Sequence, residues 1–445
     1  MLHNHIMSLS LECQQFVSER FENKSGHSVL HVVSKAETES VRCLECGRRV
    51  YVQDHYSGIL KDIPLYAGET LVLEVKVHRY QCAECGQTFT EEIPFRHPGT
   101  RVTERAAEWI RKFLAKDFTI SAVSELTGIH WDTIRRIHQE IMEHALEEHE
   151  KDMRSIGYKP KRLAVDEFSI HRGHTYATTV MDLDTGDVIW VGKGRSVEDF
   201  RKFFEEYDLS LLSEAEAVAM DMNASYNRLV AEYLPHAAIV YDRYHMQAQF
   251  GKDVLGSVRL EEAAKHKMIA DGYKDLLTDM DDGEDKKALK SKMKAERHRY
   301  SSIKGSRWTL LTNSSNLSQD KSDALQKILM DHEKLAVCYA MKEELCRLFD
   351  LRSKEAAEEG WRSWFAAAKQ SGISQLVKFA ELKEKRIDGL VSHAEHPIST
   401  GKLEGFNNRI KVLKRIGYGY RDDRYFFTLI RYHSISDIYD FHNFP

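Results

Sequence analysis

Two Cys-x-x-Cys-Gly segments, one beginning at Cys43 and one at Cys82, constrain the fold of this chain of 445 residues more than any other feature. Each predicts a tight knuckle in which the glycine lets backbone amides approach the thiolates. The 35 residues between Cys46 and Cys82 include apolar residues at every second position from 71 to 77. This alternation is typical of short strands, so we expect a small β-rich module that carries both knuckles.

Two such knuckles suit a tetrahedral site for one Zn²⁺ with four thiolate ligands, a site with no open coordination position and therefore a structural role. A redox pair is the alternative, but thioredoxin-like sites use a single Cys-x-x-Cys in a βαβ context. The predicted zinc ligands are Cys43, Cys46, Cys82 and Cys85. The remaining thiols are expected to be ordinary buried side chains without a role: Cys13, Cys338 and Cys346.

The composition predicts a globular chain with two or three domains, since 42% of the residues are hydrophobic and 10% are aromatic. Uninterrupted apolar runs stay well short of the ~20 residues that a membrane span needs. The N-terminus also lacks the basic start and apolar stretch of a secretory leader. We therefore expect an intracellular, soluble protein that has no membrane partner.

Positive charge is concentrated in two segments, although the formal net charge of the chain is -5. Residues 286–307 hold nine Lys or Arg and one acidic residue, and residues 402–431 hold eight Lys or Arg and three acidic residues. Local basic surface of this kind is typical of a groove that follows phosphates. The alternative is a pair of solvated helices without a partner.

Residues 101–150 have helical periodicity and contain a short helix, a turn at Gly128 and a second helix. This arrangement predicts a helix-turn-helix whose second helix enters the major groove of DNA. The side chains expected to contact DNA lie near the start of that helix: Trp131, Thr133, Arg135 and Arg136. The alternative is a plain helical hairpin that serves as a spacer.

A polar linker, residues 151–162, precedes a segment that mixes strand and helix patterns. Predicted strands lie at 163–170, 175–183, 188–192, 217–220 and 237–241, and predicted helices lie at 197–207 and 226–234. Three meandering strands followed by alternating helices and strands predict a mixed α/β sheet with right-handed crossovers in its second half. Residues 246–395 have an almost entirely helical pattern, which predicts a helical insertion.

Two aspartates are associated with strands of this predicted sheet. Asp166 lies within the first strand and Asp221 follows the fourth, 55 positions later. The first and fourth strands can be neighbours, and two carboxylates that converge there repel one another unless a cation neutralises them. We therefore expect magnesium, bound as two ions and replaceable by Mn²⁺, which would suit an in-line phosphoryl displacement. The alternative is that both aspartates are ordinary turn residues.

A third carboxylate, Glu404, lies on a predicted helix with basic residues along the same face. Helical spacing places a metal ligand there beside a phosphate-binding ridge. The residues expected to contact DNA are Asn408, Lys411, Lys414 and Arg415. An amphipathic surface helix with ordinary charge pairs is the alternative.

The motifs around these acids resemble the ISL-three family of bacterial insertion-sequence transposases. They are Ala-Val-Asp166-Glu, Met-Asp221-Met-Asn-Ala-Ser-Tyr and Lys-Leu-Glu404-Gly-Phe-Asn-Asn-Arg-Ile-Lys, with Gly-Tyr-Gly-Tyr at 417–420. The resemblance extends over nearly the whole chain. It implies an RNase H-like fold and a DDE triad of Asp166, Asp221 and Glu404. In one departure from the family pattern, Thr400 stands where Asn is expected.

Asp242 and His245, in Asp-Arg-Tyr-His, look like a motif that follows the fifth strand in related transposases. Asp242 is therefore a rival for the second catalytic position. Asp221 better fits the end of the fourth strand. We expect Asp242 and His245 to support the metal ligands or to position DNA.

The predicted fold class is a multidomain protein: a zinc ribbon, an all-α helix-turn-helix and an α/β RNase H-like catalytic domain with a large helical insertion. The expected domains are a zinc ribbon at 1–95, a helix-turn-helix at 96–155, a catalytic domain at 160–250 and 396–445, and an insertion at 251–395.

The predicted function is that of a bacterial DNA transposase, acting in the cytoplasm at the nucleoid. Its expected partners are double-stranded DNA, in the form of terminal inverted repeats and target DNA, and further copies of the chain in a homodimer or higher oligomer. Two other functions remain open: a DNA-binding regulator without catalysis, and a structure-specific nuclease with the same core.

Overall fold

The computed structural model describes residues 16–24, 26–64, 70–116, 118–171, 173 and 175–435. Cys13 lies outside these residues. The chain forms two compact units: Met1–Asp152 with Tyr420–Pro445, and Met153–Gly419. None of the helices in the described ranges combines the length and the apolar character that crossing a membrane requires.

A five-stranded sheet dominates the start of the first unit. Its strands are β1 (Phe16–Lys24), β2 (His27–Ser34), β3 (Val50–Asp62), β4 (Thr70–Cys82) and β5 (Thr88–Thr90). They run in the order β1-β2-β4-β3, with β5 paired to β4. The predicted alternation in β4 is confirmed, because Leu71, Leu73, Val75 and Val77 are all at most 1% exposed. Strands β1 and β2 lie in a segment whose sequence shows no strong pattern.

Three helices follow: α1 (Glu104–Leu114), α2 (Ile120–Thr127) and α3 (Trp131–Ser155). The Thr119 side chain caps α2 by accepting a hydrogen bond from the backbone of Ala122, and Gly128 ends that helix at a φ of 66°. A Cβ at Gly128 would lie 2.9 Å from the Thr70 hydroxyl, so both space and conformation favour glycine there. Helix α3 continues to Ser155, which makes the first residues of the predicted linker helical.

The second unit is built on a mixed sheet with strands β6 (Arg162–His171), β7 (Thr175–Asp182), β8 (Val188–Lys193), β9 (Ala217–Met220) and β10 (Ala238–Tyr241). The order is β10-β9-β6-β7-β8. Strand β9 is parallel to both β6 and β10, whereas β7 is antiparallel to β6 and β8. The predicted strands and the predicted adjacency of the first and fourth are thus confirmed.

Helix α4 (Val197–Glu206) and helix α5 (Ala224–Tyr233) connect the strands of this sheet. A capping box at Ser196 and Asp199 fixes the start of α4. Aromatic side chains of α4, including the fully buried Phe200 and Phe203, pack with apolar residues of the sheet and of α5. This core supports β6, which carries Asp166, and β9, which leads into Asp221.

The segment after β10 is helical, as predicted. It comprises α6 (Arg243–Phe250), α7 (Ser257–Leu276), α8 (Glu284–Gly305), α9 (Arg307–Leu311), α10 (Gln319–Asp331), α11 (Glu333–Leu348), α12 (Lys354–Gln370), α13 (Ser374–Glu384) and α14 (Ile387–Glu395). A π-helical turn, Gly251–Gly256, joins α6 to α7. Large aromatic residues such as Trp361, Trp364 and Phe379 fill the core of the segment.

Helix α15 (Gly401–Ile416) completes the second unit, and helix α16 (Asp423–Ile435) belongs to the first. The buried residues of α15 include Leu403, Asn407 and Ile410, which recur at helical spacing. One buried polar side chain on this face, Asn407, therefore lies among the apolar residues that anchor the helix.

Candidate functional site

The two cysteine knuckles form one cluster in the first unit. In each knuckle the glycine has a positive φ, 69° at Gly47 and 71° at Gly86. The Sγ atoms of Cys43 and Cys85 are 3.6 Å apart, and Sγ of Cys46 lies 3.5 Å from that of Cys82 and 3.7 Å from that of Cys85. A tetrahedron with Zn–S bonds of ~2.3 Å has S–S edges of roughly 3.8 Å, so the four thiols fit zinc.

Backbone amides stabilise the thiolates of these knuckles. Hydrogen bonding from the amide of Cys85 lowers the pKa of Cys82 to about 6, against a smaller opposing effect of burial, and the amide of Glu84 adds to the lowering. The pKa of Cys46, in contrast, is raised to about 12: the hydrogen bond from the amide of Arg48 lowers it, but burial and the neighbouring thiols outweigh that effect. The pKa of Cys85 is raised as well. Because metal ligation requires thiolates, a bound cation would have to offset the cost of ionising these two thiols. Outside the cluster, Cys338 and Cys346 are buried, as predicted.

Strand register places two of the predicted acidic residues of the second unit at the same level on neighbouring strands. The last residue pair between β6 and β9 is Val165 with Met220. The next residue on each strand is an aspartate, Asp166 in β6 and Asp221 directly after β9. Two acidic side chains therefore occur at equivalent positions on neighbouring parallel strands.

Asp166 lies in an environment that opposes ionisation. Burial raises its pKa to about 6, and the nearby charges of Glu404 and Glu167 act in the same direction. The Asn407 amide donates a 2.8 Å hydrogen bond from Nδ2 to Oδ2 of Asp166. A carboxylate that is half neutral near pH 6 is poised to take up a cation, since a positive ion would remove the electrostatic cost of its charge.

Glu404 reaches the same region from the first turn of α15. The backbone amide of Glu404 donates to the carbonyl of Thr400 at 2.7 Å. The Thr400 hydroxyl lies 3.5 Å from Oε1 of Glu404. Thr400, the residue before α15, is 1% exposed, and its carbonyl accepts the first hydrogen bond of that helix.

His245 lies between two of the predicted acids. Its Nε2 is 3.2 Å from Oε1 of Glu404, and its Nδ1 is 3.9 Å from Oδ2 of Asp221. The imidazole thus links the carboxylate that follows β9 with the one on α15.

Asp242, the rival for the second catalytic position, is 2% exposed and uses both oxygens within the protein. Its Oδ1 accepts from the amide of His245 at 3.0 Å, and its Oδ2 accepts from the amide of Thr400 at 2.8 Å. Asp242 therefore ties the start of α6 to the start of α15. This bracing role differs from that of Asp221, whose side chain is 54% exposed.

Two groups of side chains in the described ranges bring ligand atoms within 4.8 Å of one another: the four cysteines, and Asp242 with His245 and Glu404. Asp166 and Asp221 are members of neither group. Asp221 is the more accessible of the two rival aspartates, because both oxygens of Asp242 already accept backbone hydrogen bonds. The oxygen donors of Asp166, Asp221 and Glu404 are of the type that Mg²⁺ and Mn²⁺ prefer.

The residues predicted to contact DNA on α3 are partly engaged within the first unit. Trp131 is 42% exposed. Arg135 forms an ion pair with Asp422 and lies over the ring of Tyr425, 4.8 Å from its centroid. Arg136 pairs with Glu140 at 3.1 Å. Thr133, which follows Trp131 by two positions, is partly buried.

On α15, three of the four predicted DNA-contacting residues are exposed. Asn408, Lys411 and Arg415 are exposed, and Lys411 donates to Asn408 at 3.0 Å. Lys414 is partly buried and its ammonium lies 3.3 Å from the carbonyl of Ser169. These residues and Glu404 therefore share one helix in the second unit.

Sequence reasoning missed three polar residues near the carboxylates. The sequence prediction named the exposed neighbour Asn408 and not Asn407. The spacing of Asn407 from Leu403 and Ile410 is the signal that places Asn407 on the buried face. Lys383 and Arg386 contact Met222, the residue after Asp221, from more than 160 positions away. No local signal could have identified that contact.

Comparison with known proteins agrees with these motifs. A family profile described as "Transposase", of the DDE type in family ISL3, matches residues 163–430. A second, described as the helix-turn-helix domain of transposase family ISL3, matches residues 91–141.

Two relatives match over most of their length. The chain is 32% identical over 404 residues to the transposase for insertion sequence element IS1001 of Bordetella parapertussis, covering 90% of this chain and 91% of that protein. It is 25% identical over 410 residues to the transposase for insertion sequence element IS1557 of Mycobacterium tuberculosis, covering 90% and 88%.

Proposed function

The chain belongs to transposase family ISL3, and from that premise we propose that it binds the terminal inverted repeats of an insertion sequence and catalyses metal-dependent cleavage and transfer of DNA strands. The observation that carries the proposal is the register of β6 and β9, which aligns Asp166 with Asp221. Glu404 supplies the third acid of a DDE triad from α15.

We assign Asp166, Asp221 and Glu404 as the ligands of two Mg²⁺ ions. When bound, such ions activate a water or a 3′-hydroxyl group and stabilise the leaving oxygen of an in-line displacement at phosphorus. The burial of Asp166 and the like charge of Glu404 support this assignment, because both favour a neutralising cation.

Other side chains of the site act on these carboxylates. Asn407 holds one oxygen of Asp166, which restricts the rotation of that carboxylate. His245 lies between Asp221 and Glu404 and, when protonated, offsets their repulsion. Asp242 holds the backbone at both His245 and Thr400, so it positions the helix that carries Glu404.

We propose the following division of labour along the chain. Residues 1–95 form a zinc ribbon with one structural Zn²⁺, and residues 96–155 form a helix-turn-helix that recognises element ends. Residues 160–250 with the segment from 396 onward form an RNase H-like catalytic domain, and residues 251–395 form its helical insertion. In the structure, the segment from Tyr420 onward belongs to the first compact unit.

The proposed site of action is the bacterial nucleoid in the cytoplasm. Terminal inverted repeats and target DNA are the proposed partners. A homodimer or higher oligomer is expected on DNA, because an element has two ends that must be cut and joined together.

Cleavage assays on labelled element ends test the proposal. Asp166→Asn, Asp221→Asn and Glu404→Gln each remove a charge while preserving most of the side-chain shape. Each variant should lose cleavage and strand transfer but keep DNA binding, with Mg²⁺ or Mn²⁺ supporting the wild-type reaction and Ca²⁺ supporting assembly alone. DNA binding by a wild-type protein that cuts no element end under any of these ions would instead favour a regulator.

A further inference from the structure

A cleft of about 550 Å³ opens beside Asp221 in the second unit. The cleft is lined by Asp221, which follows β9, by His245 on α6, and by residues of the helical insertion. Three cationic side chains contribute to it: Lys252, Lys383 and Arg386. The proposed cleavage chemistry uses none of these cations.

Lys383 is the most informative of the three because it is only 6% exposed. Its ammonium donates to Oε1 of Gln249 and lies 3.1 Å from the sulfur of Met222. Within the described part of the chain, no carboxylate oxygen comes within 4.0 Å of this ammonium. A buried cation whose partners are all neutral is costly, so the cleft that it lines favours an anionic ligand.

The neighbouring cations strengthen this preference. Arg386 donates to the backbone carbonyl of Met222, which places a guanidinium directly beside the residue that follows Asp221. Lys252 is exposed in the π-helical turn. Asp253 also lines the cleft, so the three cations face two acids there, Asp253 and Asp221. Metal bound at Asp221 would make the balance more positive still.

The kind of anion is indicated by Asp221, which lines the cleft. Asp221 belongs to the proposed cutting site, and the anion brought to such a site is a phosphodiester. We propose that the cleft binds a backbone phosphate of the DNA strand next to the scissile phosphate, with Lys383, Arg386 and Lys252 as its cationic ligands. This inference rests on the proposed function. A volume of about 550 Å³ is within the ~300–1,000 Å³ range of small-ligand sites, enough for one nucleotide unit.

A coupling experiment on element ends tests the inference. Single phosphates near the cut are replaced one at a time by neutral methylphosphonates, and each substrate is cleaved by wild type, Lys383→Met and Lys252→Ala. Losing either the phosphate charge or the lysine should slow cleavage roughly 10- to 100-fold, the usual cost of a charged hydrogen bond. At the one phosphate that the cleft binds, combining the methylphosphonate with the lysine variant should slow cleavage no further than either change alone. Lys378→Ala, at an exposed position of α13, is the matched control and should behave as wild type.

Lys252→Ala keeps the experiment interpretable should Lys383→Met fail to fold, since Lys252 is on the surface. If the rate reductions caused by the methylphosphonate and by the lysine variant multiply at every phosphate tested, the subsite is overturned while the proposed function stays intact. A wild-type protein that cuts no DNA would overturn both. Titrating inorganic phosphate into DNA-free protein distinguishes the source of the anion. If Lys383→Met abolishes phosphate binding while the rate reductions on DNA multiply at every phosphate, the cleft binds a free ion and the inference is overturned.

Discussion

Asn407 donates a 2.8 Å hydrogen bond to Asp166 across 241 positions of sequence. The amide is 5% exposed, and the carboxylate that it holds has a pKa raised to about 6, chiefly by burial. A buried neutral donor therefore orients a carboxylate whose charge is otherwise poorly stabilised. This relationship connects the helix that carries Glu404 with the first strand of the mixed sheet in the second unit.

Asn407→Ala should reduce cleavage of element ends roughly 10- to 100-fold, the range typical of losing a group that orients a metal ligand. Excess Mg²⁺ should restore part of the activity, because the variant weakens metal binding without removing a ligand. Cleavage rates measured across Mg²⁺ concentrations check this. Val412→Ala, at an exposed position of the same helix, is the control. An activity loss that no Mg²⁺ concentration relieves would indicate a folding role for Asn407 instead.

Asp242→Asn should slow cleavage about 10- to 100-fold, whereas Asp221→Asn should abolish it. The difference is expected because Asp242 accepts hydrogen bonds from the amides of His245 and Thr400, and an asparagine can keep only one of them. Thermal unfolding should show a larger loss of stability for Asp242→Asn. Full activity in Asp221→Asn beside none in Asp242→Asn would reverse the assignment of the second aspartate.

Purified protein should contain one zinc per chain, and Cys82→Ser should lose it and weaken binding to element ends. The reason is that the four sulfur atoms, 3.5–3.7 Å apart where they meet, would no longer surround the ion. Elemental analysis and gel-shift titration measure the two effects. Cys346→Ala, which removes a buried thiol outside the cluster, should leave the zinc content unchanged. Equal zinc content in all three proteins would contradict the assignment.

Metal-free protein should lose stability as the pH rises through about 6, because the native pKa of Asp166 lies above its ordinary value of 3.8. A raised carboxyl pKa contributes stability that is fully present below about pH 4 and is lost as the group ionises in the folded state. Asp166→Asn should escape this loss and be more stable than wild type above pH 6, by up to about 3 kcal/mol.

Unfolding midpoints measured from pH 4 to pH 8 test that prediction. The advantage of Asp166→Asn should shrink toward pH 4, and added Mg²⁺ should stabilise wild type more than the variant. Asp271→Asn, at an exposed position of α7, should follow wild type at every pH. A constant difference between Asp166→Asn and wild type over the whole range would show that ionisation is not its cause.

Replacing Lys411, Lys414 and Arg415 with alanine should weaken end binding and flatten its salt dependence. Each lost phosphate contact should lower the slope of log affinity against log salt by roughly 0.9. Binding titrations at several salt concentrations supply the slope, with Lys321→Ala at an exposed position of α10 as control. An unchanged slope in the triple variant would remove α15 from the DNA interface.

The helix-turn-helix allows a related test, since Arg135 pairs with Asp422 in the structure. If Arg135 leaves this pair to contact DNA, Asp422→Asn should tighten end binding, because the arginine no longer has to exchange a carboxylate for a phosphate. Arg135→Gln should weaken binding and make the effect of Asp422→Asn disappear. Binding affinities of the two single variants and the double variant would measure this coupling.

Local sequence patterns were sufficient to predict many of the secondary-structure elements and the cysteine cluster. The Cys-x-x-Cys-Gly repeats predicted a cluster of four thiols, and period-two alternation from Leu71 to Val77 predicted the buried face of β4. Helical spacing predicted α2 and α3 about Gly128, and the order of strands placed Asp166 and Asp221 on neighbouring strands. These features depend on interactions within a few residues, or on the few topologies that such a strand order allows.

Tertiary structure alone decided which side chains meet. Periodicity shows that Asn407 lies on a buried face, but only packing sets Asp166 opposite it. The contacts of Lys383 and Arg386 with Met222, and of Arg135 with Asp422, join segments separated by more than 160 positions. Strands β1 and β2 likewise form where local pattern is weak, because β2 pairs with β4 and β1 pairs with β2. A sequence specifies which surfaces must be buried, whereas the partner of each surface is determined when the whole chain packs.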